Sequence, residues 1–154
     1  MKYAGLITVI ISTCTVGVTM YDNSRKRLLI CRELVLFCNS LKRDFMYRAT
    51  PINILIEQVI DDSNLIHIKR FVQTVLSGEK PPMFPLTNSE NKEVVSFLNA
   101  LGKSDRKTQI ALVESFCDYI SKEEELHRKS HTKNARLYLS FGVFSGVLIA
   151  LVFV

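Results

Sequence analysis

The chain has 154 residues, with 20 Lys and Arg against 15 Asp and Glu for a balance of +5, and 47% of it is apolar. That length supports one domain, and a mean hydropathy of +0.15 excludes disorder and fibrous repeats. The apolar surplus is confined to residues 3–20 and 137–154, two blocks without any Asp, Glu, Lys or Arg, which disfavours a simple soluble domain.

As a helix, the first block would reach about 27 Å, close to the hydrocarbon thickness of a bilayer. A secretory signal peptide is the rival reading, but Lys2 alone forms the basic region and no A-x-A pattern marks a cleavage point. Ile11-Ser12-Thr13-Cys14 offers a weak lipoprotein-like alternative, with Thr13 larger than the residue usually found before such a Cys. The expectation is an uncleaved transmembrane helix over residues 1–21.

Residues 22–48 then read as a separate helix, capped by Asp22, Asn23 or Ser24. Leu28, Cys31, Val35, Cys38, Leu41 and Phe45 form its apolar stripe. Arg25, Lys26, Arg27, Arg32, Lys42, Arg43 and Arg48 make this helix basic, which fits a topology signal or contact with acidic lipid or nucleic acid. Thr50 and Pro51 open a second helix, as cap and first helical residue, with Ile52, Leu55, Ile56 and Val59 as its inner face. Asp61-Asp62-Ser63 should end it and cap a third, which holds Leu65, Ile68, Phe71, Val72, Val75 and Leu76 and stops at Gly78. The prolines at 81, 82 and 85 mark a loop.

Thr87-Asn88-Ser89-Glu90 has the spacing of a capping box. It precedes a helix with Val94, Val95, Phe97, Leu98 and Leu101, which ends at Gly102. Ser104 should cap the last helix, where Ile110, Val113, Phe116, Cys117 and Ile120 face inward. With no breaker downstream, that helix should continue as a charged stalk into a second transmembrane segment, 137–154. Basic residues flank both blocks on the inner side, so residues 22–136 should be cytoplasmic. The expected fold is all-α: a small antiparallel helical bundle flanked by N- and C-terminal transmembrane helices.

No chemistry stands out. Gly102-Lys103-Ser104 matches the tail of a phosphate-binding loop, but Phe97 stands where its first Gly belongs. Glu124, His127 and His131 share a helix face, yet that face is charged and solvated and offers no closed metal site. The four cysteines form no disulfide framework and read as buried thiols. An enzyme, a cofactor and a metal are therefore not expected. Thr13 and Gly17, and Gly142 and Gly146, have the small-xxx-small spacing that lets membrane helices approach closely.

Leu101-Gly102-Lys103-Ser104-Asp105-Arg106-Lys107-Thr108-Gln109 resembles the L-G-x-x-D-R-x-x-Q signature of the stage III sporulation protein AB family. Met46-Tyr47-Arg48-Ala49-Thr50-Pro51-Ile52 is similar to that family's M-Y-G-x-T-P-L element, with Arg48 in place of Gly. The resemblance implies a middle domain like the cytoplasmic helical domains of type II secretion platform proteins. It also implies a place in the envelope complex built at engulfment between mother cell and forespore, in the mother-cell membrane. The expected partners are a secretion-type cytoplasmic ATPase, other membrane components of the complex and the lipid bilayer, with neither nucleic acid nor a small-molecule substrate. Asp105, Arg106 and Gln109 become partner-binding candidates, and Thr50, Pro51 and Gly102 structural ones. The competing expectation is a basic membrane-anchored adaptor that binds acidic lipid or nucleic acid through residues 25–48.

Overall fold

The computed structural model describes residues 2–47, 51–62, 65–79 and 84–153, with the side chains of most of 2–14 and 134–153 outside the description. Five α-helices occur among these residues: α1 (Lys2–Tyr47), α2 (Ile52–Asp62), α3 (Lys69–Leu76), α4 (Asn88–Ala100) and α5 (Arg106–Phe153). No strand occurs among them, in keeping with the all-α expectation. Internal contacts divide the chain into two units, Leu29–Glu125 and the pair Met1–Leu28 with Leu126–Val154. Among the described residues no helix is long and apolar enough to cross a membrane. The two apolar blocks lie largely outside the described side chains.

The break expected at residues 22–24 does not occur, and α1 is a single helix of 46 residues. No Gly or Pro stands near the expected break. Asp22, instead of capping, binds Lys26 one turn on at 2.7 Å, a pairing that supports helix continuation.

In the unit 29–125, α1 buries Ile30, Cys31, Leu34, Phe37, Cys38, Leu41 and Phe45. This stripe is wider than the one the spacing predicts, because α1 is covered on two sides. On one side it runs antiparallel to α5. Arg32 meets Glu124, Asn39 accepts from the Cys117 thiol, and Lys42 meets Glu114, so numbers rise on one helix as they fall on the other. On another side Glu33 reaches the start of α3. Its Oε2 accepts from the backbone N–H groups of His67 (2.8 Å) and Ile68 (3.1 Å), and its Oε1 lies 2.6 Å from His67 Nδ1. The helix therefore starts at Lys69, later than the sequence predicts, and Ile68 at its N-cap has no capping side chain of its own. A carboxylate from a distant helix supplies the cap instead, at the positive end of the α3 dipole.

Other ends follow local rules. At Gly78 (φ +76°), Glu79 N–H donates to the Thr74 carbonyl and Gly78 N–H to that of Val75, which is the Schellman pattern. The capping box at α4 forms as expected. Glu90 N–H donates to Thr87 Oγ1 at 3.3 Å, and Thr87 N–H donates to Glu90 Oε2 at 2.6 Å. Stacked ring pairs, Phe71 with Phe84 and Phe97 with Phe116, close the core near the middle of the chain.

Cys31, Cys38 and Cys117 are free and buried. Burial pushes the Cys31 thiol up to about 12. The hydrogen bond with Cys117, reinforced by burial, holds the Cys38 thiol well above its ordinary range. Neither of these two groups supplies a thiolate at neutral pH.

The unit formed by 1–28 and 126–154 has its own contacts. The rings of Tyr21 and His131 lie 5.1 Å apart, and His131 Nδ1 is 3.2 Å from Ser24 Oγ. Thr15 and Thr19 donate their hydroxyl protons to the carbonyls of Ser12 and Val16, so these side chains need no water to satisfy their protons.

Candidate functional site

Between α4 and α5 the chain reverses in five residues. Leu101 leaves the helix in an extended conformation, and Gly102 turns it at φ +79°, a backbone region that side chains rarely adopt. A Cβ on Gly102 would lie 2.8 Å from Ile52 Cγ2, so the turn rests directly on the first residue of α2. Glycine is required here twice over, by conformation and by contact.

The expectation that Ser104 caps α5 is corrected. Asp105 caps it: Oδ2 accepts from Thr108 N–H at 3.3 Å, Oδ1 accepts from the Thr108 hydroxyl at 2.5 Å, and the Asp105 carbonyl accepts from Gln109 N–H. The Thr108 hydroxyl and backbone bonds hold the exposed Asp105 carboxyl below its usual range. Ser104 accepts instead from Gln109 Nε2 at 2.6 Å. Gln109 is only 3% exposed. Its Nε2 also donates to the Ala100 carbonyl and its Oε1 accepts from Gly102 N–H, both at 3.1 Å. One buried amide thereby ties the end of α4, Gly102 and Ser104 into a single turn, and such fully satisfied buried groups are costly to remove.

Arg106 reaches outside the turn. Its Nη2 donates to the carbonyl of Phe45 at 2.6 Å, in the last turn of α1, where a cation complements the helix dipole. The turn thus holds the end of α1 through Arg106 and the start of α2 through Gly102. Just past Phe45, Met46 and Tyr47 are exposed, Tyr47 to 83%. Lys103, Asp105 and Lys107 are exposed on the turn itself. The result is a corner that presents an aromatic ring and a thioether, groups enriched at protein interfaces, beside charged side chains.

The three partner-binding candidates therefore lie together but face differently. Asp105 and Arg106 are at the surface, and Gln109 points inward. Pro51 is exposed immediately before α2, and its carbonyl accepts the first helical bond, from Leu55 N–H. Thr50 lies outside the described residues, as does the packing of Thr13, Gly142 and Gly146; Gly17 is half-buried in α1. Gly102-Lys103-Ser104 follows a helix rather than a strand, so no phosphate-binding loop geometry forms. Sequence reasoning missed Glu33 and the Phe45 carbonyl, and no local signal marks either as a tertiary acceptor.

A family model described as stage III sporulation protein AB matches residues 72–154, more than half of the chain. The chain belongs to the stage III sporulation protein AB family. The match takes in most of α3, α4, the turn with its Leu-Gly and Asp-Arg pairs, and α5, while the element at 46–52 lies outside it. No curated protein and no solved structure matches the chain. Membership in the family assigns a role in sporulation.

Proposed function

We propose that this chain is a non-enzymatic membrane component of a sporulation transenvelope complex, a platform on which the helical bundle holds a secretion-type cytoplasmic ATPase at the mother-cell membrane. The observation that carries the reading is the convergence of two distant sequence elements on one corner. The Asp105–Arg106 turn and the Met46–Tyr47 end of α1 are joined by the Arg106–Phe45 bond. An enzyme site would need a pocket with convergent reactive groups; at this corner Arg106 and Gln109 are spent on internal bonds, and Lys103, Asp105 and Lys107 are exposed.

Membrane attachment is supported by the first apolar block, where Val16, Val18 and Met20 are each more than half exposed in a stretch without charge. The adaptor reading through residues 25–48 has less support, because Arg32 and Lys42 are drawn into ion pairs with α5.

Tyr47→Ala and Arg106→Ala, each in the full chain, test the docking corner by ATPase pull-down and thermal melting. Tyr47→Ala should melt as the parent and lose binding. Arg106→Ala should lose some stability along with binding. Binding retained in both variants would remove this corner from the interface. Topology is tested by Ser130→Cys: a membrane-impermeant thiol reagent applied to intact cells should not label it, and labelling would overturn the cytoplasmic placement.

A further inference from the structure

The charge of the chain is segregated between its two units. Residues 29–125 hold 12 basic and 14 acidic residues, a balance of −2. Residues 1–28 and 126–154 hold 8 basic residues and Asp22 alone as an acid, a balance of +7. Seven of those basic residues fall within 21–28 and 126–136, next to the uncharged blocks. The Tyr21 and Ser24 contacts with His131 bring these two stretches side by side. On α1 the cations of this stretch are Arg25, Lys26 and Arg27, of which Lys26 is paired with Asp22.

On α5 a groove of about 650 Å³ is lined by Arg128, Lys129, Thr132 and Lys133, residues one helical turn apart in pairs. Thr132 spends its hydroxyl proton on the Arg128 carbonyl, so the cationic groups brought to the groove are led by Arg128 and Lys133. Arg27 Nε is shielded from solvent and has no hydrogen-bond partner among the described residues. Lys133 precedes the apolar block by four residues, about 6 Å along a helix, which is the depth of a headgroup layer outside the hydrocarbon.

We propose that this groove is a binding site for the phosphate of an anionic phospholipid. A headgroup phosphate at this depth supplies a counter-charge to Arg128 and Lys133 while its acyl chains lie along the uncharged blocks. Orientation by positive charge alone requires basic residues near the membrane but no groove and no preference among anionic lipids at a particular face. The inference rests on the membrane reading above.

The test uses the full chain reconstituted in phosphatidylcholine vesicles that carry a small fraction of spin-labelled phosphatidylglycerol or spin-labelled phosphatidylcholine. The immobilised fraction should favour phosphatidylglycerol by about fivefold or more. Arg128→Gln combined with Lys133→Gln should bring the ratio close to one, whereas Lys103→Gln with Lys107→Gln should leave it unchanged. Inorganic phosphate at millimolar concentration should not displace the lipid; displacement would make this a free-phosphate site and overturn the proposal. An equal preference in the parent and in the Arg128/Lys133 variant, with both floating with the vesicles, would overturn the lipid site alone. Failure of the parent to float would overturn the membrane reading and the lipid site together.

Discussion

The unit of residues 29–125 and the unit of 1–28 with 126–154 solve different problems with the same two long helices. In the first, α1 buries seven apolar side chains, and its polar residues are matched to named partners on α3 and α5. In the second, the same helix exposes Val16, Val18 and Met20, and its polar contacts include the Asp22–Lys26 ion pair, the Tyr21 and Ser24 interactions with His131, and hydroxyls bonded to their own helix. The overall charge of +5 describes neither unit. It adds a slightly acidic bundle to a strongly basic flank, and the basic character of residues 22–48 taken as one segment conceals the boundary that falls inside it.

If the two units are held by separate forces, damage to the bundle should not disturb the flank. The largest effect is expected from Phe37→Ala. Phe37 is fully buried, and the cavity should cost about 3–5 kcal/mol. A denaturant melt of the bundle should show this loss, while vesicle flotation stays as in the parent.

Gly102→Ala should follow, at about 1–3 kcal/mol for a strained positive φ, with further loss from the approach to Ile52. A fall in melting temperature of several degrees would be the readout. An unchanged melt would mean that the turn does not constrain α2.

Glu33→Ala removes a carboxylate that holds two backbone donors at the start of α3, worth about 1–3 kcal/mol. Hydrogen exchange should show the loss first in the amides of α3, ahead of those in α4.

A smaller effect is tied to pH. Asp105 has a depressed folded-state pKa through its Thr108 bonds, so it contributes stability that is present above the ordinary carboxylate range and is lost as pH falls through the folded value. The stability gap between the parent and Asp105→Asn should therefore be present at neutral pH and close below about pH 4. At the far end of the scale, Arg128→Gln with Lys133→Gln should change the bundle melt by no more than about 0.5 kcal/mol. A larger change would break the proposed independence of the two units.

What the sequence makes legible is what neighbours in the chain decide. The capping box of Thr87 and Glu90, the stops at Gly78 and Gly102 and the unbroken run of α5 are all written within a few residues, and all form. The inner faces of α2, α4 and α5 follow from helical periodicity for the same reason. The wider stripe of α1 is not legible, because a period of 3.6 points to one face and α1 is covered on two. Ile30, Leu34 and Phe37 are the residues missed. The start of α3 is misplaced because its cap comes from Glu33, more than thirty residues upstream. At the candidate site the signature residues can be read from the sequence, but their division of labour cannot. Gln109 and Arg106 look alike on a helical wheel, yet one is buried as a cross-link and the other holds the end of α1.

The remote cap of α3 also bears on the order in which the chain folds. A helix of eight residues is too short to persist by itself in water, and its first turn gains acceptors only once α1 is docked beside it. The loop between Glu33 and His67 must close before that stabilisation is felt, so α3 should form after α1 and α5 have paired. Substitutions at Glu33 should then speed unfolding far more than they slow folding, giving a φ-value near zero. During refolding, α3 would be the last helix of the bundle to gain protection.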